Sequence, residues 1–294
     1  METNWGLHAM LLPGVLITIV FCYVPMVGIA IAFQNFKPWL GFFNSPWLGL
    51  GNFERFFTSS SSVNVLINTV EIAVLKILTG LAVPIAFALL LNEIRVPRLK
   101  KTVQTMVYLP HFLSWVILAG ILKDVLAVDG GIVNRMVSFF GGDPIFFFGD
   151  GNWFRVAVIV SNVWKEFGFS TIVYLAALTA VDTALYEAAM IDGAGRWKQT
   201  VHVTLPSIMP IIVVMFTLSL GNVLNAGFDQ IYNLYTPMVY DKGDIIDTFV
   251  YRTAIVQANM SYGAAVGLFK SVVALVLILV SYKLADKFAN YRIF

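Results

Sequence analysis

Five ionisable residues stand inside long apolar runs: Glu71, Lys76, Lys165, Glu166 and Lys270. Charges in such runs are costly, face the protein interior and pair with one another. Depth suggests the partners. Glu71 and Lys270 each sit about seven residues, or ~10 Å, from the outer end of their runs, and Lys76 and Glu166 each sit about twelve residues in. The expected pairs are therefore Glu71–Lys270 and Lys76–Glu166. A second set is amide-rich. The stretch SLGNVLNAGFDQIYNLY spaces Asn222, Asn225 and Asp229 by three or four residues, on one face of a helix, and Tyr232 continues near that face. Another run offers Asn162, Trp164 and Tyr174. Amides and carboxylates take hydroxyls, and aromatic faces take the apolar face of a sugar ring. These side chains suit the lining of a sugar path. They suit interhelical hydrogen bonds equally well.

Bond-making chemistry has little support. The histidines are His8, His111 and His202, and no H-E-x-x-H or G-x-S-x-G occurs. No metal site is expected. There is no G-x-x-x-x-G-K-[ST] phosphate loop, and the dipeptide Gly-Lys is absent. No cofactor is expected in this chain.

These residues are carried by a membrane protein. Of 294 residues, 59% are hydrophobic and 12% charged, against about 25% charged in soluble domains. The apolar residues come in separated blocks, which reads as a polytopic helical protein in a lipid bilayer. A membrane β-barrel would alternate polar and apolar residues, and this chain does not. The net charge of +2 is too small to suggest a nucleic-acid partner. Cys22 is the single cysteine, so no disulfide forms within the chain. The opening METNWGLHAM lacks a basic region and a small-residue cleavage site, so the first run is expected to be a retained span.

Six spans are expected, at roughly 9–33, 64–91, 105–127, 154–180, 207–228 and 263–283, each near the ~20 residues a bilayer requires. Residues 1–294 then form a single transmembrane domain. The 92–104 loop carries Arg95, Arg98, Lys100 and Lys101, the 181–206 loop carries Arg196 and Lys198, and the tail carries Lys283, Lys287 and Arg292. An even number of spans puts all of these on one side. Basic residues favour the cytoplasm, so both termini are expected there.

The loop at 182–206 is the most specific feature. Asp182 and Thr183 can cap a helix, and Ala184 to Ile191 favour one. The helix should break at Asp192-Gly193-Ala194-Gly195. A short basic segment comes next, and Leu205-Pro206 then opens the next span. The whole loop is amphipathic enough to lie along a membrane surface as a helix–turn–helix.

Glu187-Ala188-Ala189, Gly193 four residues on, and Val203-x-Leu205-Pro206 resemble the EAA signature of permease subunits of bacterial ABC importers. Val203 stands where the signature has Ile. The resemblance implies an all-α, type I importer permease fold with six transmembrane helices, in a bacterial cytoplasmic membrane. It implies that this loop couples to an ATPase subunit, through Glu187, Ala188, Ala189, Asp192, Gly193, Leu205 and Pro206. Small alanines permit close approach, and Gly193 permits a turn that a Cβ would block. Further matches point to the carbohydrate branch: Tyr23-x-Pro25, Gly49-Leu50-Gly51-Asn52-Phe53, Asn92-Glu93-Ile94-Arg95 and Tyr108 to Trp115. The last two resemble permeases for polysaccharide-derived oligosaccharides.

The resemblance also implies an assembly. A second homologous permease, two ATPase subunits that bind ATP and Mg, and an extracytoplasmic sugar-binding protein are the implied partners. The alternatives are an ion-driven secondary transporter, or an ABC importer of a small non-sugar solute such as a glycerol phosphate. The former has no need of the EAA loop.

Overall fold

The computed structural model describes residues 5–289, with the side chains of 6–8 and 284–289 left aside. The side chain of Lys287 and all of Arg292 thus lie outside the described residues. The regular elements of the described residues are all helical, with one isolated bridge between Gln34 and Trp47 and no strand. Two units are distinguished: residues 1–63 with 249–272, and residues 64–248 with 273–294.

In the first unit, α1 (Trp5–Thr18) continues through a π-helical turn, Ile19–Tyr23, into a 3-10 stretch, Val24–Phe33, which Pro25 opens. The apolar segment Ala9–Phe33 is long enough to cross a membrane, and almost none of it is buried. A helix apolar all round and uncovered by its own chain suits lipid or another protein as its solvent. After it, α2 (Gly51–Thr58) buries Asn52, whose amide donates to the Ala32 and Gln34 carbonyls at 2.9 and 3.0 Å. Phe56 and Phe57 pack on Phe269, and Ser62 shares a hydrogen bond with Tyr262 at 2.8 Å. A Cβ on Gly263 would fall 2.4 Å from that of Ala254, whereas nothing lies within 4 Å of one on Gly267.

The second unit holds α3 (Ser60–Asn92, from residue 64 on), α4 (Pro97–Tyr108), α5 (Trp115–Val125), α6 (Ile132–Phe139), α7 (Gly151–Thr179), α8 (Thr183–Ile191), α9 (Arg196–Gly221) and α10 (Phe228–Leu234). Its last helix, α11 (Met260–Ala289), enters it at residue 273. Of the long helices, α7 is the best covered. Asp150 caps it, accepting from Asn152 and Trp153 amides at 2.8 and 3.0 Å. One core forms where Phe154 and Val158 meet Ile72, Ala119, Ala226 and Ile231. A second gathers Ala88, Tyr174, Leu178 and Ile208.

Five helices are each long and apolar enough to span, close to the expected runs 9–33, 64–91, 154–180, 207–228 and 263–283. The expected span at 105–127 differs. It is a bent pair, Pro97–Phe112 and Trp115–Val125, turned by 103°. Pro110 lacks the amide that would continue the ladder. Leu113 and Ser114 are extended, and the Ser114 hydroxyl accepts from the Ile117 amide to start a new helix. The span expected at 207–228 is displaced toward the N-terminus, because its helix begins at Arg196 and ends at Gly221, and Gly227 adopts φ +96° before α10 begins.

Candidate functional site

The loop at 182–206 folds as its residues dictate. The Asp182 carboxylate accepts from the Ala184 amide at 2.9 Å and starts α8. Gly193 stops it at φ +73°, with its amide donating to the Met190 carbonyl and the Ala194 amide to the Ala189 carbonyl. That is a left-handed helix cap, which a Cβ disfavours. Gly195 then caps Arg196. The structure departs from expectation at Leu205-Pro206. A π-helical turn, Thr200–Thr204, joins the basic segment directly to Leu205–Gly221, so Pro206 lies inside α9. A wider turn accommodates the amide that proline lacks.

The exposed side of this loop carries large apolar side chains among charged ones. Leu185, Met190, Ile191 and Trp197 are open, and Glu187, Ala188 and Asp192 are exposed beside them. Tyr186 braces α8 by a 2.9 Å hydrogen bond to Thr204, and Leu205 packs into the second core. Arg196 pairs with Glu93, which places the two basic loops at one end of this unit. Exposed pairs of this kind contribute ~0–1 kcal/mol, so the pair locates the loop more than it stabilises it.

A cleft of 360 Å³ lies among α3, α7 and α9. Lys76, Asn162, Ser219, Asn222 and Asn225 line it, and no carboxylate does. Of the residues expected along a path, Asn162, Asn222 and Asn225 thus meet here. They do not meet on one helical face. Asn222 caps the end of α9 and Asn225 sits in the following turn, its amide 3.4 Å from the Asn222 side-chain oxygen. Asp229 and Tyr232 belong to α10, away from the cleft lining, and Tyr232 stacks on Phe228 at 5.2 Å. Trp164 lines a separate, apolar cavity with Leu122 and Val160.

The intramembrane charges take partners that depth alone does not indicate. Glu71 Oε2 lies 2.6 Å from Arg155 Nη1, a partner outside the expected pairs. Arg155 also donates to the Asn68 side chain at 2.6 Å and the Lys242 carbonyl at 2.7 Å. Depth along the chain misses Arg155 because it sits near the end of α7, where a basic side chain reads as interfacial. Among the described residues, Lys76 takes no carboxylate within ion-pair distance. It donates to the Ala226 carbonyl at 2.6 Å and to Gln230 Oε1 at 2.5 Å. Glu166 instead binds His111 Nδ1 at 2.7 Å and Lys165 at 3.0 Å. Lys165 further donates to the His111 carbonyl at 2.7 Å, and the His111 ring stacks on Phe169 at 4.0 Å. The Lys165 bond satisfies the His111 carbonyl beside the break at Leu113-Ser114. Depth along a helix could not reveal this, because proline had moved the facing backbone.

The two ends of the first pair carry unequal weight. Glu71 is about half exposed, and Arg155 is mostly covered. Glu71→Gln is expected to cost no more than ~1 kcal/mol. Arg155→Met should cost about 1.5–3 kcal/mol, since it strands the Asn68 and Lys242 oxygens. Melting midpoints of the two purified variants check this, and equal shifts would refute the ordering.

Known proteins share this architecture. Residues 80–290 match the family model described as "Binding-protein-dependent transport system inner membrane component". The polygalacturonan/rhamnogalacturonan transport system permease protein YteP of Bacillus subtilis (strain 168) is 46% identical over 98% of this chain and 90% of its own. Protein LplB of the same organism is 42% identical over 98% of this chain and 91% of its own. Among solved structures, a chain of a bacterial ABC transporter involved in the import of the acidic polysaccharide alginate superposes with a TM-score of 0.90. It is 40% identical, over 98% of this chain and 97% of that one. A second, of a bacterial alginate ABC transporter in complex with alginate pentasaccharide-bound periplasmic protein, also scores 0.90 at 38% identity, over 99% and 98% of the two chains.

Proposed function

The chain belongs to the family of binding-protein-dependent transport system inner membrane components, and from that premise we propose that it is the permease subunit of an ATP-driven importer of oligosaccharides from acidic polysaccharides. The observation that carries the proposal is the 182–206 loop: a capped helix with an exposed apolar face, stopped by a left-handed Gly193. A surface that offers Leu185, Ile191 and Trp197 beside small alanines suits the cleft of an ATPase subunit. Relatives that match along almost the whole chain carry acidic polysaccharides or their fragments in their descriptions, which supports the substrate class.

In this reading a second homologous permease completes the path. Two ATPase subunits bind ATP and Mg and perform the hydrolysis, for which this chain lacks a phosphate loop, and one of them docks at the 182–206 face. A sugar-binding protein delivers solute to the opposite face. The chain resides in a bacterial cytoplasmic membrane with both termini, and the basic loops at 92–104 and 181–206, on the cytoplasmic side. Asn162, Asn222 and Asn225 line the path and exchange hydrogen bonds with sugar hydroxyls as the two sides open in turn.

Reconstitution into vesicles tests this. Uptake of a trigalacturonate is expected only when the ATPase, the second permease, the binding protein and ATP are all present. Uptake by the purified chain alone under an ion gradient would overturn the reading.

A further inference from the structure

Lys76 stands halfway along α3 (Ser60–Asn92), at the depth where a charge is most costly in a bilayer. Its ammonium has three N–H donors. Two are taken, by the Ala226 carbonyl and by Gln230 Oε1. Gln230 is fixed in turn, its amide donating to the Val158 carbonyl at 2.7 Å and Ser161 Oγ at 2.9 Å. The ammonium is therefore held in one place, with a third donor to spare, on the wall of the cleft.

Both acceptors are neutral. An amide side chain could bond them without the cost of a charge, so bracing the α9–α10 turn does not by itself call for lysine. No ion pair to Lys76 occurs among the described residues. Glu166 attracts it from a distance, but that carboxylate is engaged by His111 and Lys165. The cleft wall adds amides and a hydroxyl and no acid. Its 360 Å³ falls in the range of small-molecule sites, roughly 300–1,000 Å³. A fixed cation among neutral donors and acceptors is complementary to a carboxylate surrounded by hydroxyls.

We propose that Lys76 determines the specificity of the path for acidic sugars, taking the carboxylate of a uronate unit while the flanking asparagines take its hydroxyls. This rests on the importer reading above. The interaction is charge-assisted, and a neutral sugar leaves the ammonium without an anion. The residue thus favours uronates at the membrane step, after the binding protein has made its own selection.

The test uses the reconstituted assembly with its binding protein. Uptake of a trigalacturonate and of its methyl ester is measured for wild type, Lys76→Met and Lys76→Arg. The ester keeps the shape and loses the charge. Lys76→Met is expected to lower uptake of the acid about tenfold and that of the ester less than twofold, and Lys76→Arg to retain most of the acid preference. Co-purification of the ATPase with each variant confirms assembly. Parallel loss of both sugars in Lys76→Met means a bracing role only and overturns the proposal. Unchanged acid uptake in an assembled Lys76→Met overturns it as well. The wild type separates this from the broader reading: ATP-driven uptake of the ester with none of the acid sinks the role of Lys76 and leaves an importer, while no ATP-driven uptake of either sinks both.

Discussion

Gly193→Asp is expected to strip the ATPase from the purified chain and to lower ATP-driven uptake by at least tenfold, while the second permease still co-purifies. Gly193 sits at φ +73°, and nothing lies within 4 Å of the Cβ it would gain. The change therefore creates no clash. Its direct cost is the left-handed backbone, ~1–2 kcal/mol for a residue with a Cβ. That is too little to unfold the unit, so the damage stays in the loop. There it acts twice. The turn relaxes toward negative φ and swings α8 against Arg196, and a further carboxylate enters the surface proposed to dock the ATPase. About 1.4 kcal/mol of lost docking already accounts for a tenfold effect. Mass spectrometry of material purified through a tagged chain reads the result. Wild-type levels of ATPase and of uptake in the mutant would mean that the loop is not where hydrolysis is coupled.

Gly168→Ala is expected to lower the melting temperature and the yield of folded chain more than any other single methyl added to a glycine of a span. A Cβ there would lie 2.0 Å from the Val107 carbonyl oxygen, 2.6 Å from its carbon and 3.2 Å from the Tyr108 nitrogen. These are backbone atoms, so no side chain can swing aside, and α4 and α7 would have to part. Overpacking of this kind costs about 1–3 kcal/mol or more. Close helix approach through a small residue is a main source of packing energy in a bilayer, where lipid is as apolar as leucine. Parting the helices also disturbs Lys165 and Glu166, less than one helical turn away, which hold His111 at the break before α5. The control is Gly120→Ala, in whose case nothing lies within 4 Å of the added Cβ. If the two variants melt alike, the close approach is not what sets the stability of this crossing.

The two glycines belong to different levels of the same sequence. Gly193 was legible in advance. A helix cap, a left-handed glycine and a proline beyond it act within a short stretch of chain, so their spacing specifies the turn. Apolar run length likewise located five helices long and apolar enough to cross a bilayer, because its thickness fixes how many residues a crossing takes. The family resemblance then gave the loop its expected role. Gly168 was not legible, since its partner is a carbonyl 61 residues away that only the folded chain brings near.

The same boundary separates the rest. Sequence found the intramembrane charges, because an ionisable side chain in an apolar run is conspicuous wherever it points. Tertiary structure decided their partners: Arg155 for Glu71, Lys165 and His111 for Glu166, two neutral oxygens for Lys76. Equal depth brings two residues to one level of the membrane, but which faces meet depends on helix rotation and on breaks such as Leu113-Ser114. The amides obey the same limit. Asn162, Asn222 and Asn225 converge on one cleft, yet a helix that ends at Gly221 carries Asp229 and Tyr232 elsewhere. Local spacing determines where a helix starts, stops and crosses; only the packed chain determines what each charge and amide faces, because those contacts join residues far apart in sequence.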